Sequence, residues 1–213
     1  MAIKTPKVIL YHIPKCGGIW AKEALRRSLP NPREDYGRCK HTAFANDFGL
    51  YREHAIPDGV VEDDKRGRLS ICFVRNPLTW YRSYWAFRIK TKSFDECFPI
   101  DLLMDDDYEI FINNVLREFP KGFVTQLYQY YTGEELQKIN FIGKQERLAD
   151  DLVEALTVAG QEFDEGRLRR TKFINVAGID HKYDELTKLK QGTIEKIKKA
   201  EEWVFNTFYE KYV

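Results

Sequence analysis

Three short apolar runs are each followed by turn chemistry and then by a helical pattern. The first, Lys7–Ile13 (KVILYHI), is rich in β-branched and aromatic residues and predicts a buried strand. After the turn PKCGG comes IWAKEALRRSL, in which Trp20, Ala24, Leu25 and Leu29 fall on one helix face. The second run, Leu69–Val74 (LSICFV), predicts another buried strand. It is punctuated by RNP, and LTWYRSYWAFRIK follows as a helix with Asn76 as its cap and Pro77 at its first position. The third run, Lys138–Gly143 (KINFIG), precedes ERLADDLVEALTVAG, a helix closed by Gly160. TAFANDFGLYREH (interrupted by Gly49), DYEIFINNVLREF and GFVTQLYQYY read as further helices. TIEKIKKAEEWVFNTFYEKY reads as one long amphipathic helix with Ile194, Ile197, Val204 and Phe208 on a single stripe. Residues 91–107 read as loop, and residues 161–192 as irregular and basic around RLRRTK. Strands separated by helices predict one α/β domain over residues 1–213, with a central parallel sheet flanked by helices.

Composition narrows the function classes. With 213 residues and 43% hydrophobic content the chain can bury a sizeable core. The formal net charge of +1 argues against a broad nucleic-acid surface while leaving room for local basic pockets. Cys16, Cys39, Cys72 and Cys97 form no C-x-x-C pair and no Cys/His cluster, so zinc is not expected and free thiols in a reducing compartment are. The apolar stretch near the start is too short for a signal peptide or a membrane anchor, so the expectation is a soluble, cytoplasmic protein with no membrane span.

The turns after the first two strands carry the chemistry. In PKCGGIW (Pro14–Trp20), a strand passes through a glycine turn into a helix, which presents backbone N–H groups to an anion. Gly17 and Gly18 allow close approach, and Lys15 adds a positive charge. The familiar nucleotide loop G-x-x-x-x-G-K-[ST] places its lysine after the glycines and a metal-binding hydroxyl after the lysine, and neither holds here. In RNPLTWYRS (Arg75–Ser83), Arg75 stands where a strand meets a helix N-terminus, with Ser83 inside that helix. Arg75 can grip a phosphate bidentately and Ser83 can donate a hydrogen bond to it. The blander alternatives are a plain glycine turn and an arginine paired to a local carboxylate.

Together the two stretches resemble the sulfotransferases that use 3′-phosphoadenosine 5′-phosphosulfate (PAPS). In that family a P-K-[ST]-G-[GT]-[TS] loop holds the 5′-phosphosulfate, and an R-[ND]-P-x-x-x-x-x-S segment holds the 3′-phosphate. HIPK and FVRNP look most like the Golgi-type and bacterial carbohydrate enzymes, and FIGKQERLADDL (Phe141–Leu152) is similar to the family's later strand and helix. The resemblance implies a P-loop-like fold and PAPS as co-substrate without a metal. It further implies a hydroxyl acceptor on a carbohydrate or small metabolite. Carried onto this chain, it makes Lys15, Cys16, Gly17, Gly18, Ile19, Trp20, Arg75 and Ser83 cofactor-binding residues. A late basic loop that closes over the cofactor would use Arg170, Lys172 and Asn175. The chain departs from the pattern at Cys16, Gly18 and Ile19, where the family usually carries one or two hydroxyls. A side-chain hydrogen bond lost there costs about 1 kcal/mol.

A transferring sulfuryl group carries less negative charge than a γ-phosphoryl group, so a lysine and oriented N–H groups could serve where kinases use magnesium. Lys15 would stabilise the bridging oxygen as the S–O bond breaks. A histidine suits the base that takes the acceptor proton. By the resemblance, which places a K-H-x-x stretch between the two phosphate motifs, His41 is the catalytic base, with His12 second and Glu23 or Glu53 as further alternatives. The aromatic run WYRSYWAF reads as helix core before it reads as an acceptor cleft. Asp105–Asp107 reads as a solvated turn rather than a metal site. An atypical P-loop kinase and a turnover-free nucleotide- or partner-binding protein are the rival readings.

Overall fold

The computed structural model describes residues 2–30, 67–92, 99–172 and 182–209. Among them a four-stranded sheet runs in the order β1 (Ala2–Lys4), β2 (Val8–Tyr11), β3 (Leu69–Val74), β4 (Phe141–Lys144). Strands β2, β3 and β4 are parallel, and β1 is an antiparallel edge. Val8, Ile9 and Leu10 are fully buried, as are Ile71, Cys72 and Val74. Such unbroken burial is why these runs are continuously apolar instead of alternating.

The registers Tyr11↔Cys72 and Val74↔Lys144 bring the carboxyl ends of the three parallel strands to one edge of the sheet. The turns after β2, β3 and β4 therefore gather there, the position at which open α/β sheets bind ligands. Two of these turns lead directly into helices, α1 (Gly18–Ser28) and α2 (Pro77–Thr91). Helix α5 (Leu148–Val158) follows β4 after a 3-10 turn at Gln145–Arg147. Between α2 and β4 lie a 3-10 turn at Pro99–Leu103 and helices α3 (Tyr108–Glu118) and α4 (Phe123–Thr132).

Helix α2 starts where its caps place it. Asn76 Oδ1 accepts the Leu78 N–H at 3.0 Å, and Pro77 opens the helix. Trp80, Tyr81, Tyr84 and Trp85 are 0–2% exposed, so the aromatic run is core. Trp80 stacks on Tyr84 with ring centroids 5.0 Å apart. At the start of α3, Asp107 Oδ1 accepts the N–H groups of Glu109 and Ile110, so the acidic run serves as a helix cap.

Several boundaries differ from the sequence reading. The edge strand β1 is an addition. Strand β2 ends at Tyr11 instead of Ile13, because His12 and Ile13 already belong to the turn. Strand β4 lies later in its run, at Phe141–Lys144. The stretch read as irregular holds two short helices, α6 (Glu165–Arg169) and α7 (Lys182–Leu186), and α6 packs on α1. The tail is not one helix. It comprises α8 (Gln191–Ala200), a break at Glu201, α9 (Glu202–Val204) and a wide π turn over Phe205–Tyr209. The break has a cause in packing: Glu201 is 0% exposed, and its carboxylate caps the N-terminus of α4. The expected helix TAFANDFGLYREH lies outside the described residues. No described helix is long and apolar enough to cross a membrane.

Candidate anion-binding site

The turn between β2 and α1 is held from below by buried residues. Ile13 and Cys16 are each 1% exposed, and the Cys16 N–H donates to Ile13 O at 3.3 Å. Lys15 and Gly17 both have left-handed backbones, with φ of 64° and 85°. Alternation of this kind curls a turn into the N–H-lined concavities that hold anions. Gly17 is the N-cap of α1 without a side-chain cap, and the first turn of α1 carries no acid. The N–H groups of that first turn thus have no partner within the helix. Close packing restricts both glycines: a Cβ on Gly17 would lie 2.5 Å from Leu148 Cδ2, and one on Gly18 would lie 2.3 Å from His12 Cδ2.

Arg75 leaves the end of β3 and crosses to the first turn. Its Nη1 donates to Lys15 O at 3.2 Å, and its Nε donates to Thr79 Oγ1 at 3.0 Å. Trp80 Nε1 donates to Pro14 O at 2.8 Å, a second tie between the two loops. Thr79, Ser83 and Phe87 follow at four-residue spacing along α2, which aligns them on the helix face that Arg75 reaches through Thr79. The Lys15 ammonium lies 4.1 Å from the centre of the Phe87 ring. Ser83 is 7% exposed on that strip. The two sequence motifs thus converge on one place, with Thr79 as the side chain that aims Arg75.

The electrostatics are those of a partly buried cationic site. Burial pushes the Lys15 ammonium down to about 8, and the positive charges of Arg75 and Arg88 push the same way. Burial likewise lowers Arg75, although a guanidinium remains charged at any ordinary pH. Among the described residues neither Lys15 nor Arg75 is bonded to a carboxylate. Arg88 is bonded to one, since its Nη2 lies 2.6 Å from Asp101 Oδ2. Glu146, whose charge Arg75 feels, instead accepts the Asn76 N–H at 2.9 Å and the Tyr209 hydroxyl at 3.1 Å. Desolvated cations left without a counter-charge are costly in the empty protein and favourable to an incoming anion.

The remaining candidates sort by position. Cys16 points into the fold. Its thiol lies 3.3 Å from the buried Tyr128 hydroxyl and 3.4 Å from Pro14 O, and burial pushes it up to about 12. A hydroxyl in its place would meet Tyr128. Ile19 is 48% exposed in the first turn of α1. Trp20 is buried, and its Nε1 donates to Thr171 O at 3.0 Å, which ties the exposed Arg170 and Lys172 to the α1 side of the site. His12 packs its ring on Gly18. Glu23 is held by Arg26 and Arg27, whose hydrogen bonds lower it to about 2. His41, Asn175 and Glu53 lie outside the described residues.

Sequence reading missed Thr79, Tyr128 and Glu146. Thr79 carried a usable signal, standing four residues after Arg75 on a predicted helix. The other two act through contacts with residues distant in sequence. Among the described residues no group of three His, Cys, Asp or Glu side chains is placed to hold a metal ion. Comparison with protein-family models, with curated proteins and with solved structures finds no match to this chain.

Proposed function

We propose that the chain is a PAPS-dependent sulfotransferase of P-loop-like architecture, moving a sulfuryl group to a hydroxyl on a carbohydrate or small metabolite. One observation carries this reading: Lys15 and Arg75 meet at the carboxyl edge of the sheet, desolvated and without carboxylate partners among the described residues. A ligand with two anionic ends would supply the missing charge. The uncapped α1 turn and Lys15 would take the phosphosulfate, and Arg75 with Ser83 the 3′-phosphate. The Nη2 donors of Arg75 are not used by Lys15 O or Thr79 and stay available for that contact.

In the transfer, the acceptor oxygen forms a bond to sulfur while the bridging S–O bond breaks. The electron pair goes to the departing phosphate, next to Lys15, and the acceptor proton goes to a base. His41 is the proposed base and His12 the alternative. No hydroxyl follows Lys15 to hold magnesium, and the smaller charge on a sulfuryl group makes a lysine with oriented N–H groups sufficient. Free thiols at Cys16 and Cys72 accord with a reducing, cytoplasmic setting.

The test is transfer of labelled sulfate from PAPS to a panel of hydroxyl acceptors in metal-free buffer. Transfer is expected, and His41→Ala should lower it about 100-fold while PAPS binding is nearly unchanged. If only His12→Ala does so, the base is His12. PAPS binding without transfer to any acceptor would reduce the protein to a binding module. Stabilisation by ATP with magnesium but not by the bisphosphate product would replace the reading with a kinase.

A further inference from the structure

We infer that Tyr128 is a positioning residue that fixes the two anion loops relative to each other, so that a ligand with two phosphate-type ends is bound as one unit. The inference rests on the proposed nucleotide site and concerns a side chain that would not itself touch the ligand. Tyr128 is fully buried in α4. Its hydroxyl accepts the Arg75 N–H at 2.9 Å and lies 2.9 Å from Arg75 O as donor. The same oxygen is 3.3 Å from Cys16 Sγ. One phenol oxygen therefore bonds the backbone of the Arg75 loop on both sides of that residue and also meets the floor of the Lys15 loop.

The loops need such a tie. Ladder pairing between β2 and β3 stops at Tyr11↔Cys72, and Lys15 and Arg75 lie beyond it. Among the described residues two other bonds join the loops, Arg75 to Lys15 O and Trp80 to Pro14 O, but each is made by a residue of the Arg75–Ser83 segment itself. Tyr128 holds both loops from a third element. That element is fixed in turn, because Glu201 binds the N–H groups of Val124 and Thr125 one turn before Tyr128. The spacing of the anion sites is thus referred to a helix pinned at its own N-terminus. Binding one end of a two-ended ligand raises the effective concentration of the other end only while the span between sites is held.

Tyr128→Phe removes the oxygen and keeps the ring. The experiment compares wild type and this variant by calorimetry with three ligands: adenosine 5′-phosphate, adenosine 3′-phosphate and adenosine 3′,5′-bisphosphate. The expected result is less than about twofold weakening for each monophosphate and about tenfold or more for the bisphosphate. A general loss of fold would weaken all three alike, so the contrast isolates positioning. Equal weakening of all three ligands, or unchanged bisphosphate affinity, overturns the inference while leaving the nucleotide site standing. A wild-type protein that binds none of the three overturns the nucleotide reading and the inference with it. Should Tyr128→Phe not fold, Cys16→Ala removes the Lys15-loop contact alone. The same contrast is then expected at smaller size, and its absence counts against the inference.

Discussion

Replacing Lys15 by alanine is expected to lower kcat/KM for sulfuryl transfer by about 10²–10³-fold, and to weaken binding of both PAPS and the bisphosphate product. The expectation follows from where the charge stands. The ammonium lies against Phe87 beside the uncapped turn of α1, where negative charge would grow on the departing phosphate. A pH signature goes with it. Folding lowers Lys15 from the ordinary lysine range to about 8, so the folded, empty protein favours the neutral amine. The resulting penalty on stability is present below about pH 8 and is relieved as pH rises toward the unfolded value. An anion reverses the shift. Binding should therefore take up protons between about pH 8 and the ordinary lysine range, and affinity should fall there by up to about tenfold per pH unit. Phosphate groups finish ionising near pH 6, so the ligand itself adds nothing to that limb. Titrations in buffers of different ionisation enthalpy read the proton uptake. The uptake should vanish in Lys15→Ala, and its persistence there would assign it to another group.

Glu201→Ala is expected to be the most destabilising single change at a charged residue, at about 3 kcal/mol or more, or roughly 6–12 °C in Tm for a chain of this size. The carboxylate accepts the Tyr81 hydroxyl at 2.5 Å, the Val124 N–H at 3.1 Å, and both the N–H and the hydroxyl of Thr125 at 2.7 Å. Alanine would leave these buried donors without an acceptor and open a cavity beside α4. Burial raises Glu201 above the usual carboxylate range, although the bonds from Tyr81 and Thr125 oppose the shift. Glu201→Gln fills the space but sets an NH2 group against one of the two donor pairs, so it should recover only the packing part of the loss. Thermal melts of the two variants check this. If Glu201→Ala melts with wild type, the cap is incidental and the support for Tyr128 through α4 fails.

Strand and helix order was legible because the parallel strands are buried on both faces and read as unbroken apolar runs. Their ends were less so: β2 and β4 begin and stop where pairing does, and pairing involves residues more than sixty positions away. The tail shows a different failure. A 3.6-residue count puts Glu201 on the apolar stripe between Ile197 and Val204, and it does face inward; what the sequence could not show is its partner, the N–H groups at the start of α4, and the break that comes with it. That Lys15 and Arg75 come together could be read from the sequence, because both follow parallel strands whose carboxyl ends share one edge of the sheet. The inward Cys16 could not, since its partner Tyr128 is 112 residues away. A residue type that looks like a defect in the loop is, in the fold, part of its floor.

The most direct test of the central claim is a calorimetric titration of the metal-free protein with adenosine 3′,5′-bisphosphate in EDTA, repeated on Arg75→Ala. The predicted result is one saturable site in the wild type, weakened in a folded Arg75→Ala by about 10–100-fold, the scale of a lost bidentate guanidinium–phosphate contact. Absence of saturable heat with wild type at millimolar ligand, or equal affinity in the two proteins, would contradict it.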